Sequence, residues 1–177
     1  MMTVAAARRD YVNTELSPLT LTAVTQRGRV YRPALSESDR RPVHKTLREL
    51  LLDASTQYTN GGVSEVQHAA NIEHIAQTMT QHHAAVLRGG KFRIGSAQKA
   101  LNLPLKYRWC LGEIPMPPHC PFDAYVLRAI PGCQTRSWTA IKSIEQYADL
   151  VAAAHTVDGE RPLAEWELSV YNEVASA

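Results

Sequence analysis

An all-α fold is what this 177-residue sequence predicts: a single compact helical domain with an irregular N-terminal arm. Three observations carry the prediction. From His44 onward, apolar residues recur at helical intervals of three and four. Glycine and serine signals punctuate that pattern where helices should stop and start. The length suits one domain and is enough to bury a core without covalent staples.

Residues 1–43 read as the arm. A short helix from about Ala5 to Asn13 is ended by Ser17-Pro18. The Thr-rich run Leu19 to Thr25 and the alternation in Arg27-Gly28-Arg29-Val30-Tyr31 suit a strand or short hairpin. Ser36 to Pro42 is polar, a linker or a cap. The helical domain then spans 44–177. Its first helix carries Leu47, Leu50, Leu51 and Ala54 and stops at Asn60-Gly61-Gly62. Ser64 with Gln67 opens the next as a capping box. Val66, Ala69, Ala70, Ile72, Ile75, Ala76 and Met79 form its apolar face, and it runs through His82-His83 to Leu87. Gly89-Gly90 closes it.

Lys91 to Gly95 is a short connector, and Ser96 is the N-cap of a helix from Ala97 to Cys110. Ala100, Leu101, Leu105 and Trp109 point inward there, Pro104 kinks it and Gly112 ends it. Ile114-Pro115-Met116-Pro117-Pro118-His119-Cys120-Pro121 has too many prolines for regular structure and is a stiff extended loop. Phe122-Asp123 leads into a short helix, Ala124 to Ile130, stopped by Pro131-Gly132. Ser143 or Ser137 begins the next helix, with Ile144, Tyr147, Leu150, Val151 and Ala154. Pro162 begins the last, with Leu163, Trp166, Leu168, Val170 and Val174 on or near its apolar side.

Composition excludes several classes. Charged residues make up 20%, and nine glycines with ten prolines fit neither a disordered nor a fibrous chain. No apolar run approaches the roughly 18–20 residues of a membrane span. Met1 to Ala7 precedes Arg8 and Arg9, the reverse of a signal peptide's charge order. A cytoplasmic protein off the membrane is expected, with Cys110, Cys120 and Cys133 as reduced thiols. A zinc site from Cys110, His119, Cys120 and Cys133 is the sharper alternative. It lacks a CxxC pair, and adjacent His119 and Cys120 do not easily reach one metal. Neither a metal nor a cofactor is expected.

The net charge of +2 hides a partition. Between His74 and Gly112 no Asp or Glu occurs, while Arg88, Lys91, Arg93, Lys99, Lys106 and Arg108 all do. From Ser143 onward seven acids face only Arg161. A helix, a glycine turn and a second helix with cations and no anion suit a phosphate backbone, because turn amides and a helix N-terminus point donors outward. Mutual packing of the basic and acidic segments explains the partition equally well.

The chemistry-bearing stretch runs from Gly95-Ser96-Ala97-Gln98-Lys99 to Pro121-Phe122-Asp123. A carboxylate at or near an N-cap stays ionised on backbone N–H groups. A lysine with a lowered pKa becomes a nucleophile. These residues resemble the helix-hairpin-helix superfamily of DNA base-excision glycosylases, with the closer likeness to 8-oxoguanine glycosylases, including the archaeal type. The resemblance covers about residues 85–130. Leu87 to Gly95 stands for the hairpin, without the usual Leu-Pro-Gly-hydrophobic-Gly core, and Pro121-Phe122-Asp123 stands for the Pro-hydrophobic-Asp motif.

The resemblance implies that a lysine amine attacks the sugar carbon as the base departs, assisted by Asp123. Lys99 and Lys106 are about 20° apart around the helix axis, so both remain candidates; Lys99 is preferred. Arg88, Gly89, Gly90, Lys91, Arg93, Gly95, Ser96 and Arg108 would bind the nucleic acid. Trp109, Phe122, His119 and Trp138 would form the pocket for a flipped base. DNA carrying a modified base is the implied partner. Two other readings compete: a helical nucleic-acid-binding module without catalysis, and a protein-interaction module of the kind found in phages or defence systems.

Overall fold

The structure, a computed structural model, describes residues 3–59 and 61–175; Asn60, assigned above to a helix stop, and Met1 lie outside the described residues. Its α-helices are α1 (Val4–Thr25), α2 (Glu37–Gln57), α3 (Glu65–His83), α4 (Ile94–Cys110), α5 (Ala124–Ala129), α6 (Ile144–His155) and α7 (Leu163–Ala175). Single 3-10 turns occur at Arg88–Gly90 and Trp138–Ala140. Among the described residues, β-pairing amounts to one antiparallel bridge, Tyr31 with Leu87. The expected all-α class is therefore the observed one. Among the described residues, no helix is long and apolar enough to cross a membrane.

The architecture is built around α4. Every residue from Ile94 to Asn102 is buried, so this first half of the helix is enclosed on all sides rather than along one stripe. α1, α2, α3, α6 and the Trp138 turn surround it, and α5 lies against α7. An enclosed helix must satisfy its polar side chains internally. Ser96, Gln98, Lys99 and Asn102 are the buried polar residues of α4, and the last three organise the site described below.

The N-terminal region is the largest correction. It is not an irregular arm ending its helix near Asn13: α1 continues through Pro18 to Thr25. Leu21, Val24 and Val30 enter the main core. Packing against α4 overrides the strand preference of the Thr-rich run. Thr25 accommodates the helix by donating its hydroxyl to Leu21 O at 2.7 Å. Ser36 proves to be a cap: it accepts from the Asp39 backbone N–H, and Asp39 Oδ2 accepts from the Ser36 N–H at 2.9 Å. Helix α2 thus starts seven residues before His44.

Smaller differences follow from contacts. Ser64 caps α3, but the Gln67 side chain donates to Asn71 rather than returning to Ser64. Val66 is 82% exposed, and His68 and Asn71 take the inward positions with Ile72, Ile75, Ala76 and Met79. α3 ends at His83, not Leu87, since Leu87 is drawn into the bridge with Tyr31. Ser143, not Ser137, caps α6. In α7 Leu163 and Trp166 are buried, and the side chain of Val174 lies outside what is described.

Candidate active site

Asp123 is the N-cap of α5, and its Oδ1 accepts from the N–H groups of Tyr125 and Val126 at 2.9 and 3.3 Å. This leaves Oδ2 to face α4. Lys99 Nζ donates to it at 3.2 Å. The two groups flagged by the sequence are thus in direct contact. Lys99 is 4% exposed, and the Asp123 side chain is 21% exposed. The amine also lies 4.8 Å from the centroid of the Trp138 ring. Burial lowers the pKa of Lys99. The Asp123 carboxylate and Glu167 oppose that shift, while Arg27 adds to it. The arrangement gives a desolvated amine with an adjacent proton acceptor, as a lysine nucleophile requires.

Lys106 does not share this site. Seven residues further along α4, it forms an ion pair with Glu167 of α7 at 2.7 Å and lies over the Tyr171 ring. The sequence ambiguity between the two lysines therefore resolves geometrically in favour of Lys99 as the partner of Asp123. Glu167 was not singled out in the sequence, but its pairing with Lys106 is an instance of the mutual packing of basic and acidic segments weighed there.

The residues expected to form a base pocket separate. Trp138 is the one beside the amine, but it too is buried in the core. Phe122 is fully buried, edge-on to Tyr147. His119 is buried and bonded through Nδ1 to the Tyr147 hydroxyl at 2.8 Å. Burial holds its pKa down at about 3, so it is neutral and internal rather than a base-stacking surface. Trp109, half-buried against the core, is ten residues along α4 from Lys99, a rise of about 15 Å.

The expected nucleic-acid residues also divide. Arg88, Gly89 and Lys91 are exposed, with Gly89 and Gly90 at φ 66° and 69°, the left-handed region that glycine adopts without penalty. Arg93 is half-buried and donates to Thr139 O at 3.0 Å. Gly95 and Ser96 are buried, so neither faces solvent. The Gly95 N–H is taken by Ile141 O at 3.0 Å, and a Cβ at Gly95 would fall 1.8 Å from Trp138 O. Ser96 is inside α4, whose N-cap is Arg93. The connector between α5 and α6 thus occupies the helix start reserved in the sequence reading for phosphate. Arg108, at the other end of α4, pairs with Glu113 at 3.3 Å.

Arg88, Lys91, Arg93 and Lys142 line a groove of about 780 Å³ between α3, the glycine turn and the start of α6, together with Gln77 and Gln81. Neither Lys99 nor Asp123 lines it. The residues weighed for zinc are dispersed in environment: Cys110 is exposed, while Cys120 and Cys133 are buried free thiols. Among the described residues, no group of three or more His, Cys, Asp or Glu side chains is placed to hold a metal. In comparison with known proteins, no family model, no curated protein and no solved structure matches this chain.

Proposed function

We propose that this protein is a cytoplasmic, DNA-acting glycosylase/lyase that releases a modified base, with Lys99 as nucleophile and Asp123 as its proton acceptor. The observation that carries the reading is the 3.2 Å contact between Lys99 Nζ and Asp123 Oδ2, made between a helix that follows a glycine turn and a carboxylate that opens another helix. Asp123 takes a proton from the Lys99 ammonium. The freed lone pair forms a bond to C1′ of the sugar, and the electron pair of the N-glycosidic bond leaves with the base, which takes up a proton. The Trp138 ring beside the amine is itself buried, so a base stacks on it only once the turn that carries it shifts. The exposed Arg88 and Lys91 supply phosphate contacts away from the reacting pair.

Borohydride trapping tests the reading. Duplexes carrying 8-oxoguanine, uracil, an alkylated adenine or an abasic site are incubated with the protein and reduced. A covalent adduct is expected with at least one of them. Lys99→Gln abolishes it, while Lys106→Gln retains it per folded molecule. No adduct on any of the four overturns catalysis. The near-complete burial of Lys99 favours the second reading in that case, a nucleic-acid-binding module held together by the same ion pair.

A further inference from the structure

Asp123 meets Lys99 only if the loop that carries it is held against α4. That loop, residues 111–123, has no helix or strand of its own, so its position depends on side chains. One residue ties it down next to the lysine. Gln98 Nε2 donates to Phe122 O at 2.7 Å, and the Phe122 N–H donates to Gln98 Oε1 at 3.1 Å. Both backbone groups of the residue before Asp123 thus close on one amide, and that amide belongs to the residue before Lys99. Gln98 and Phe122 are both fully buried.

The amide is itself held. Asn102 Nδ2, one turn along α4, donates to Gln98 Oε1 and to the Tyr147 hydroxyl, each at 3.3 Å. Tyr147 in turn meets His119 Nδ1 at 2.8 Å, and His119 is on the same loop. The loop is therefore fastened at Phe122 from α4 and at His119 from α6, and Asn102 joins the two fastenings. An apolar side chain at position 98 would leave two buried backbone groups of Phe122 without partners.

We propose that Gln98 is a positioning residue: its two-point clamp on the Phe122 backbone holds the Asp123 carboxylate against the Lys99 amine. The clamp acts through Asp123 and does not itself touch a substrate. Its chemical consequence rests on the reading of Lys99 and Asp123 as the reacting pair, but its structural content does not. The charged groups acting on Lys99 are Asp123 from α5, Glu167 from α7 and Arg27 from the turn after α1, so a change in the Asp123 contribution can be isolated from the others.

The experiment is a double-mutant cycle read on Lys99 itself. The protein is labelled with lysine carrying 13C at the ε-carbon, Lys99 is assigned with Lys99→Arg, and its titration midpoint is followed by NMR. Asp123→Asn removes a carboxylate that raises the Lys99 pKa, so the midpoint falls, by ~1 unit for a charge in direct contact. In a Gln98→Met background the same Asp123→Asn substitution shifts the midpoint by less than half as much. A role confined to stability leaves the Asp123→Asn shift intact; Leu101→Ala, a neighbouring core change, provides that control. Equal shifts in both backgrounds overturn the proposal. If Gln98→Met does not fold, Gln98→Asn, which keeps the amide but shortens its reach, is put through the same cycle and judged by the same criterion. On a DNA substrate, the clamp variants slow borohydride-trapped adduct formation about tenfold to a hundredfold. Coupling in the cycle with no adduct from the parent protein retains the clamp and rejects the glycosylase reading.

Discussion

Glu167 shows how a single charge can be structural in a helix that looks solvated. It is 2% exposed, with one carboxylate oxygen 2.7 Å from Lys106 Nζ and the other accepting from the same amine at 2.9 Å. Burial raises its pKa, and Lys106 opposes that shift. A pair this enclosed is tuned by both partners: removing one leaves the other's charge buried and uncompensated, at a cost of ~3–5 kcal/mol. Glu167→Ala is therefore expected to lower the unfolding free energy by about 3 kcal/mol, the low end, because the Lys106 side chain retains some contact with water. Replacing both partners, Lys106→Met with Glu167→Leu, should recover most of the loss. Urea denaturation of Lys106→Met, Glu167→Leu and the double variant measures the coupling. A Glu167→Ala loss below ~0.5 kcal/mol, the range of ordinary surface changes, would show that the pair contributes no stability.

At the scale of elements, the start of α4 and the Trp138 turn are locked by close approach. Gly95 donates to Ile141 O, Arg93 to Thr139 O, and Gly95 has no room for a side chain against Trp138 O. Gly89 differs: a Cβ there meets nothing, and the residue's φ of +66° is the sole constraint. The two glycines thus predict two different penalties. Gly89→Ala costs about 1–2 kcal/mol, the left-handed backbone cost. Gly95→Ala forces the Trp138 turn away from α4 and costs at least the ~1–3 kcal/mol of overpacking. It also carries a signature that Gly89→Ala lacks. Trp138 is the indole over Lys99, so its displacement changes tryptophan emission in the folded state, which Gly89→Ala leaves untouched. Equal stability losses with unchanged emission in both variants would mean that the turn is free to adjust.

For the whole molecule, what the sequence could disclose depended on whether a contact is local. The helices after His44 were legible because their apolar residues repeat, and Asp123 was legible because an N-cap depends on neighbours two and three residues away. Helix α1 was not, since it carries buried Thr20 and Thr25 inward and is held by α4 rather than by its own pattern. Gln98 and Glu167 were hidden for the same reason: their partners are 24 and 61 residues away. The charge partition was legible as arithmetic but not as surface. Of the six cations in the acid-free stretch, Lys99, Lys106 and Arg108 are paired with carboxylates, and Arg93 donates to a backbone carbonyl. Arg88, although it too donates to a carbonyl, Tyr31 O at 3.3 Å, is exposed like Lys91, whereas Arg93 is half-buried; exposed Lys142 joins the first two along the groove. This sets the salt dependence of any duplex binding. Each phosphate neutralised contributes about −0.9 to the slope of log K against log salt, so three cations give about −3, whereas six would give about −5. Titrations of a short duplex by anisotropy at several salt concentrations read the slope directly. Arg88→Gln with Lys91→Gln should reduce its magnitude by about 2, and Arg108→Gln should leave it unchanged. A slope near −5, or one that falls with Arg108→Gln, would mean that the internal ion pairs open when DNA binds and that the basic stretch is presented to it whole.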